Sequence, residues 1–201
     1  MNKVFTWLMA MLFASGYCLA ENLLPDNLGS FESEDSLAQV EFTWKPADKE
    51  LNELCWIAKN ESYCGSSALE LHTKCPEYYG IFAQAKGDAF KAGETYTASA
   101  YVKAPEPMNV LIYLITYDEL WKTNKGDKFY YMKAGPEWKQ IKVTFTLPKD
   151  AKILGAIVRA GSEETSPKVF YVDELKIEPG ANAESVVSNR IESGAQAPQG
   201  K

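Results

Sequence analysis

Apolar and polar residues alternate along most of the middle of the chain. Over 96–102, Tyr96, Ala98, Ala100 and Val102 share one parity, while Thr97, Ser99 and Tyr101 share the other, followed by Lys103. Over 138–147, Ile141, Val143, Phe145 and Leu147 lie on one side, with Lys139 as the polar exception at the strand's mouth. Gln140, Lys142, Thr144 and Thr146 lie on the other. A period of two places alternate side chains on opposite faces of a strand, so both segments predict half-buried strands. The segment 110–117 is apolar on both parities, which predicts a strand covered on both faces or one facing a ligand. Further strands are predicted over 38–44, 54–58, 67–73, 78–84, 128–132, 153–159 and 168–177. Turn residues separate them, among them Gly87, Gly93, Pro105, Pro107, Gly126, Gly135, Pro136 and Pro148. No helical period interrupts them. The pattern predicts an all-β chain, a two-sheet antiparallel β-sandwich or jelly roll.

The two ends read differently. Residues 1–20 have a positive start at Lys3, an apolar run from Val4 to Ala14, and small residues before a cleavage point after Ala20. This is the layout of a secretory signal peptide, and it predicts a secreted or periplasmic protein. From Gly180 the chain is small and polar, too poor in apolar surface to offset its ordering entropy, so 180–201 reads as a flexible tail. The folded domain is expected over 21–179.

Charge and chemistry narrow the function. With 21 Lys+Arg against 27 Asp+Glu, the chain is acidic. It lacks the cationic excess that nucleic acid or an anionic membrane surface attracts. The single His, His72, excludes a multi-His metal site, and its parity places it outward beside Glu70. No nucleophile elbow and no paired-His zinc motif occur. The acid pairs Asp118-Glu119 and Glu163-Glu164 are adjacent in sequence, whereas a glycosidase needs carboxylates facing each other across a cleft. No catalytic residue is therefore predicted, and a small glycan-active hydrolase or lyase is the minor alternative. Signal cleavage removes Cys18 and leaves Cys55, Cys64 and Cys75. In an oxidising compartment an odd count gives one bridge plus a free thiol, or an intermolecular bridge. Cys64–Cys75 is the expected disulfide pair.

Four segments, in order, carry a family resemblance. Asn22-Leu23-Leu24-Pro25-Asp26-Asn27 followed by Gly29-Ser30-Phe31-Glu32 resembles an opening strand. Residues from Phe90 to Lys103, Trp138 to Phe145, and Phe170-Tyr171-Val172-Asp173-Glu174-Leu175 resemble three later ones. Together they resemble the carbohydrate-binding modules of families four, nine and twenty-two, with a galactose-binding-like jelly roll. The resemblance implies a non-catalytic protein that binds polysaccharide or oligosaccharide. It also implies a structural calcium between the opening-strand Glu32 and the closing-strand Asp173. The Ser30 carbonyl and Glu61 are expected to complete its oxygen shell.

Sugars stack on flat aromatic faces while polar groups fix their hydroxyls. In the resembling modules the outer face of the Tyr101 strand lines the cleft. The expected groove is Tyr101, Tyr113, Tyr117, Trp121 and Arg159, with Trp121 in a loop at the edge. The alternative is that Tyr113 and Tyr117 face the core and the sandwich binds another envelope or secreted protein.

Overall fold

A computed structural model of the chain describes residues 21–25, 28–43, 54–73, 80–120, 122, 128–161, 164 and 167–180. Strands form wherever the period of two runs. They are β1 Glu41–Thr43, β2 Cys55–Ala58, β3 Ala68–His72, β4 Gly80–Gln84, β5 Thr95–Lys103, β6 Met108–Tyr117, β7 Lys128–Ala134, β8 Lys139–Thr146, β9 Ile153–Ala160 and β10 Val169–Pro179. The expected signal peptide, Trp44, Cys75, Trp121 and the tail beyond Gly180 lie outside the described residues.

The strands build two five-stranded sheets. The front sheet has the order β1-β4-β9-β6-β7 and the back sheet β2-β3-β10-β5-β8. Every ladder between them is antiparallel. This is the two-sheet antiparallel sandwich that the alternation predicts. The apolar parities meet between the sheets. Ile81, Val158 and Ile112 form a cross-strand row on the inner side of the front sheet. Leu69, Val172 and Val102 do the same on the back sheet. All six are buried in one continuous core. Burial of such apolar rows is the main force that holds sandwiches together.

The opening segment departs from expectation. The described residues between 22 and 32 form no strand, and a short 3-10 helix follows at Glu34–Gln39. The Leu23 amide donates to the Ile177 carbonyl of β10, while its own carbonyl accepts from the Lys86 amide just past β4. Leu23 thus ties the back sheet to the front one. Ser30 and Glu32 consequently do not sit on one strand, as the resemblance implied. Pro25 and Gly29 punctuate the segment, and Gly29 lies so close to β10 that a Cβ there would meet the Leu175 carbonyl oxygen at 1.9 Å.

Candidate functional site

The front sheet has a second apolar side. In β6, Val110, Ile112 and Leu114 enter the core, so the opposite parity, Leu111, Tyr113, Ile115 and Tyr117, faces outward. Cross-strand register sets Phe82 (β4), Ile157 (β9), Tyr113 (β6) and Phe129 (β7) in one row. The next row runs through Gly80, Arg159, Leu111 and Tyr131. Phe82, Leu111, Ile157 and Arg159 are shielded from solvent, whereas Phe129 is 48% and Tyr131 38% exposed. The accessible part of this face is therefore its β7 edge.

The aromatic rings there are arranged in series. Phe129 packs at 5.2 Å, tilted 53°, against Tyr113, and at 5.4 Å, nearly perpendicular, against Tyr131. Tyr117 meets Phe82 edge-on at 6.1 Å. The Arg159 guanidinium lies 5.4 Å from the Tyr113 ring centroid and donates to the Tyr113 hydroxyl at 3.1 Å. It also donates to the Ala160 carbonyl at 3.3 Å. Two exposed rings that lean on a tyrosine fixed by a guanidinium behind it form a polar–aromatic edge of the kind that holds a hydroxylated ring.

Of the expected groove residues, the structure brings together Tyr113, Tyr117 and Arg159. Tyr101 is not among them. It points outward as its parity requires, but from β5 of the back sheet, so it lies on the opposite side of the sandwich. There Tyr63 stacks on it at 3.4 Å and 11°. The Tyr63 hydrogen bond, with burial adding to it, pushes the Tyr101 hydroxyl up to about 12. Trp121 falls outside the described residues. Phe82, Phe129 and Tyr131 complete the face but were not singled out from sequence. For Phe129 and Tyr131 a signal was present: after Lys128, 129–132 carries aromatic or apolar side chains on both parities.

The two carboxylates expected to hold calcium are gathered by one loop, residues 61–67, which crosses the outer side of the back sheet. Asp173 is fully buried. Its Oδ2 accepts the amides of Tyr63 at 2.8 Å and Cys64 at 3.1 Å, and its Oδ1 accepts the amide of Glu174 at 2.8 Å. Burial pushes its pKa up, against the pull of those amides. Glu32 accepts the Ser66 hydroxyl at 2.6 Å, the Ser66 amide at 3.0 Å and the Ser67 hydroxyl at 3.3 Å. The Ser66 hydroxyl is the first cause of its lowered pKa. Gly65 makes the crossing feasible, since its φ of 76° is left-handed and a Cβ there would meet Glu32 Oε1 at 1.9 Å. Phe31 and Glu174, next to the two carboxylates, are also left-handed. This is a latch made by N–H and O–H donors.

A calcium ion would need the same lone pairs. Glu61, the third expected carboxylate, is taken by the Lys103 ammonium at 2.5 Å. Among the described residues no three His, Cys, Asp or Glu side chains form a metal-holding group. As arranged, protein donors hold the Glu32, Glu61 and Asp173 carboxylates. For the expected Cys64–Cys75 bridge, Cys75 lies outside the described residues. Cys64 is an exposed free thiol, its amide held by Asp173, and Cys55 is a buried one. Burial pushes the Cys55 thiol up to about 12, which keeps it protonated and inert.

The sequence pattern of the family described as carbohydrate binding domain matches residues 28–166. A comparison with curated proteins gives no match. Among solved structures, the C-terminal family 22 carbohydrate binding module of Clostridium thermocellum Xyn10B is 18% identical, with a TM-score of 0.57. That likeness covers 77% of this chain and 96% of the other. The CBM22-1 xylan-binding domain of Paenibacillus barcinonensis Xyn10C is 15% identical, with a TM-score of 0.57, over 80% and 95% of the two chains. The enzymatically active domain of bacteriophage CBA120 tailspike protein 4 is 10% identical, with a TM-score of 0.59 over 79% of this chain. This chain covers 21% of that structure. At such identities these likenesses are of fold alone. Among the described residues no helix is long and apolar enough to cross a membrane.

Proposed function

The chain belongs to the carbohydrate binding domain family, and from that premise we propose that it is a secreted protein that holds glycan without chemical turnover. The binding edge is the β7 side of the front sheet. One observation carries this reading: Phe129 and Tyr131 stay exposed on a face whose neighbours are shielded. Large rings left in water forgo the gain from burial, so an exposed pair backed by an anchored guanidinium fits a docking role. The apolar side of a sugar ring packs on Phe129 or Tyr131, and the Tyr113 hydroxyl, which accepts from the Arg159 guanidinium behind it, donates to a sugar hydroxyl. The leader-like residues 1–20 support export.

Two of the similar structures are family 22 modules, and one of them is named as xylan-binding. Xylan is therefore the first probe. Affinity electrophoresis through xylan, mixed-linkage β-glucan and galactan tests the proposal. We expect retardation by at least one glycan, and its weakening in a Phe129→Ala/Tyr131→Ala variant that melts within a few degrees of the parent. A wild-type chain that no glycan retards would refute the reading and turn the search to a protein partner. Retardation that the double variant leaves unchanged would remove the β7 edge as its site.

A further inference from the structure

The outer side of the back sheet carries a second row of aromatic and polar groups, facing away from Phe129 and Tyr131. Trp56 (β2), Glu70 (β3), Tyr171 (β10) and Lys103 (β5) stand directly opposite one another across four adjacent strands. At about 4.8 Å between strands the row is roughly 14 Å long, enough for a short oligosaccharide. Trp56 is 36% exposed, and its ring tilts onto His72 with centroids 4.2 Å apart. The latch loop raises a wall along one side. Its Glu61 pairs with Lys103 at 2.5 Å, and its Tyr63 stands on Tyr101, 47% exposed.

The electrostatics select the ligand class. Glu70 is hydrogen-bonded to His72 at 2.6 Å, and Lys103 is paired with Glu61. The row's one lysine is thus compensated by a carboxylate. A polyanion needs uncompensated cations and gains nothing here. A protein interface excludes charged groups from its centre, whereas this row places Glu70 between its two rings. A neutral, hydroxyl-rich ligand suits both features. Its ring faces pack on Trp56 and Tyr171, and its hydroxyls bond the Glu70 carboxylate between them and the Lys103 ammonium beyond Tyr171.

We propose that the Trp56–Glu70–Tyr171–Lys103 row is a second binding site for a neutral glycan, on the opposite side of the sandwich from the β7 edge. It shares with the proposed function the reading that the chain binds glycan, but it does not depend on the front face. Two sites on opposite sides would let one chain bridge two polysaccharide strands, an avidity device that needs no further domain.

The test uses the full chain and the same three glycans. Trp56→Ala, the Phe129→Ala/Tyr131→Ala variant and the combined triple variant are run by affinity electrophoresis. Trp56→Ala is expected to weaken retardation roughly tenfold, as loss of an aromatic anchor does, and the triple variant to abolish it. As a readout independent of mutation, the Trp56 indole N–H of the wild-type chain should shift on glycan titration by NMR. Unchanged retardation in Trp56→Ala, with loss in the front-face variant, overturns this proposal and leaves the front-face reading standing. Loss in Trp56→Ala alone overturns the front face and leaves this one. A still indole N–H under a glycan that retards the chain also overturns it.

Discussion

Replacing Gly155 by alanine is a sharp test of how the front face is built. Gly155 lies on β9 opposite Gln84 and Ile115. A Cβ there would sit 2.1 Å from Phe82 Cε2 and 2.6 Å from Phe82 Cζ. The Phe82 ring therefore lies over the bare β9 backbone, and Tyr117 edge-on behind it limits its retreat. Forcing the ring off its position costs about 1–3 kcal/mol, the usual penalty of overpacking. Against this, exchanging glycine for alanine restricts the unfolded chain and returns roughly 0.4–1 kcal/mol. The penalty wins, and the net loss is about 1–2 kcal/mol, or roughly 2–8 °C in Tm for a chain of this size. In a Phe82→Ala background the clash is gone. There the same change is expected to be neutral or slightly stabilising, although Phe82→Ala by itself costs about 3–5 kcal/mol. The Ala83 carbonyl oxygen, 3.1 Å from the added Cβ, is met in both backgrounds and cancels. Urea denaturation of the four proteins of this double-mutant cycle should give a coupling of about 1–3 kcal/mol. An equal cost of Gly155→Ala in both backgrounds would refute the placement of Phe82 over the β9 backbone.

Three further outcomes follow from the latch. Glu32 has a folded pKa below its ordinary 4.5, so its contribution is full above that value and is lost as pH falls through the folded one. Asp173, shifted upward from 3.8, acts in the opposite sense, because its protonation favours the folded chain as pH falls. Glu32→Gln should therefore flatten the acid-side decline of Tm measured between about pH 6 and pH 3, and a steeper decline would contradict the assignment. Gly65→Ala should cost about 1–3 kcal/mol by thermal melting, from a left-handed φ and a Cβ driven into the Glu32 carboxylate; no loss would mean that the loop does not run against Glu32. Because N–H and O–H donors already hold both carboxylates, excess chelator should leave Tm unchanged; a fall of several degrees that calcium reverses would show that a cation takes over those oxygens.

The strands were legible because a period of two is a local property, and each predicted segment holds an observed strand. Which sheet a strand joins is not local. Tyr101 shows the consequence. Parity gave its outward direction, but parity refers only to a strand's own sheet. The Pro105–Pro107 turn carries the chain from β5 in the back sheet to β6 in the front one, so Tyr101 and Tyr113 end on opposite sides. Phe129 and Tyr131 were legible in principle, since 129–132 within β7 is aromatic or apolar on both parities, as the middle of β6 is. The meeting of Glu32 and Asp173 at one loop was not, because the contacts span more than a hundred residues of chain, as from Tyr63 to Asp173. The resemblance pointed to that place, but it could not foresee Ser66 and Ser67 as the donors there.

The most direct test of the central claim is an amide-resolved NMR titration of the protein with whichever glycan retards it. The account predicts that shifts include the outward positions of β6, β7 and β9, with Tyr113, Phe129, Tyr131 and Arg159 among the largest. Retardation by a glycan that moves none of these amides would contradict it.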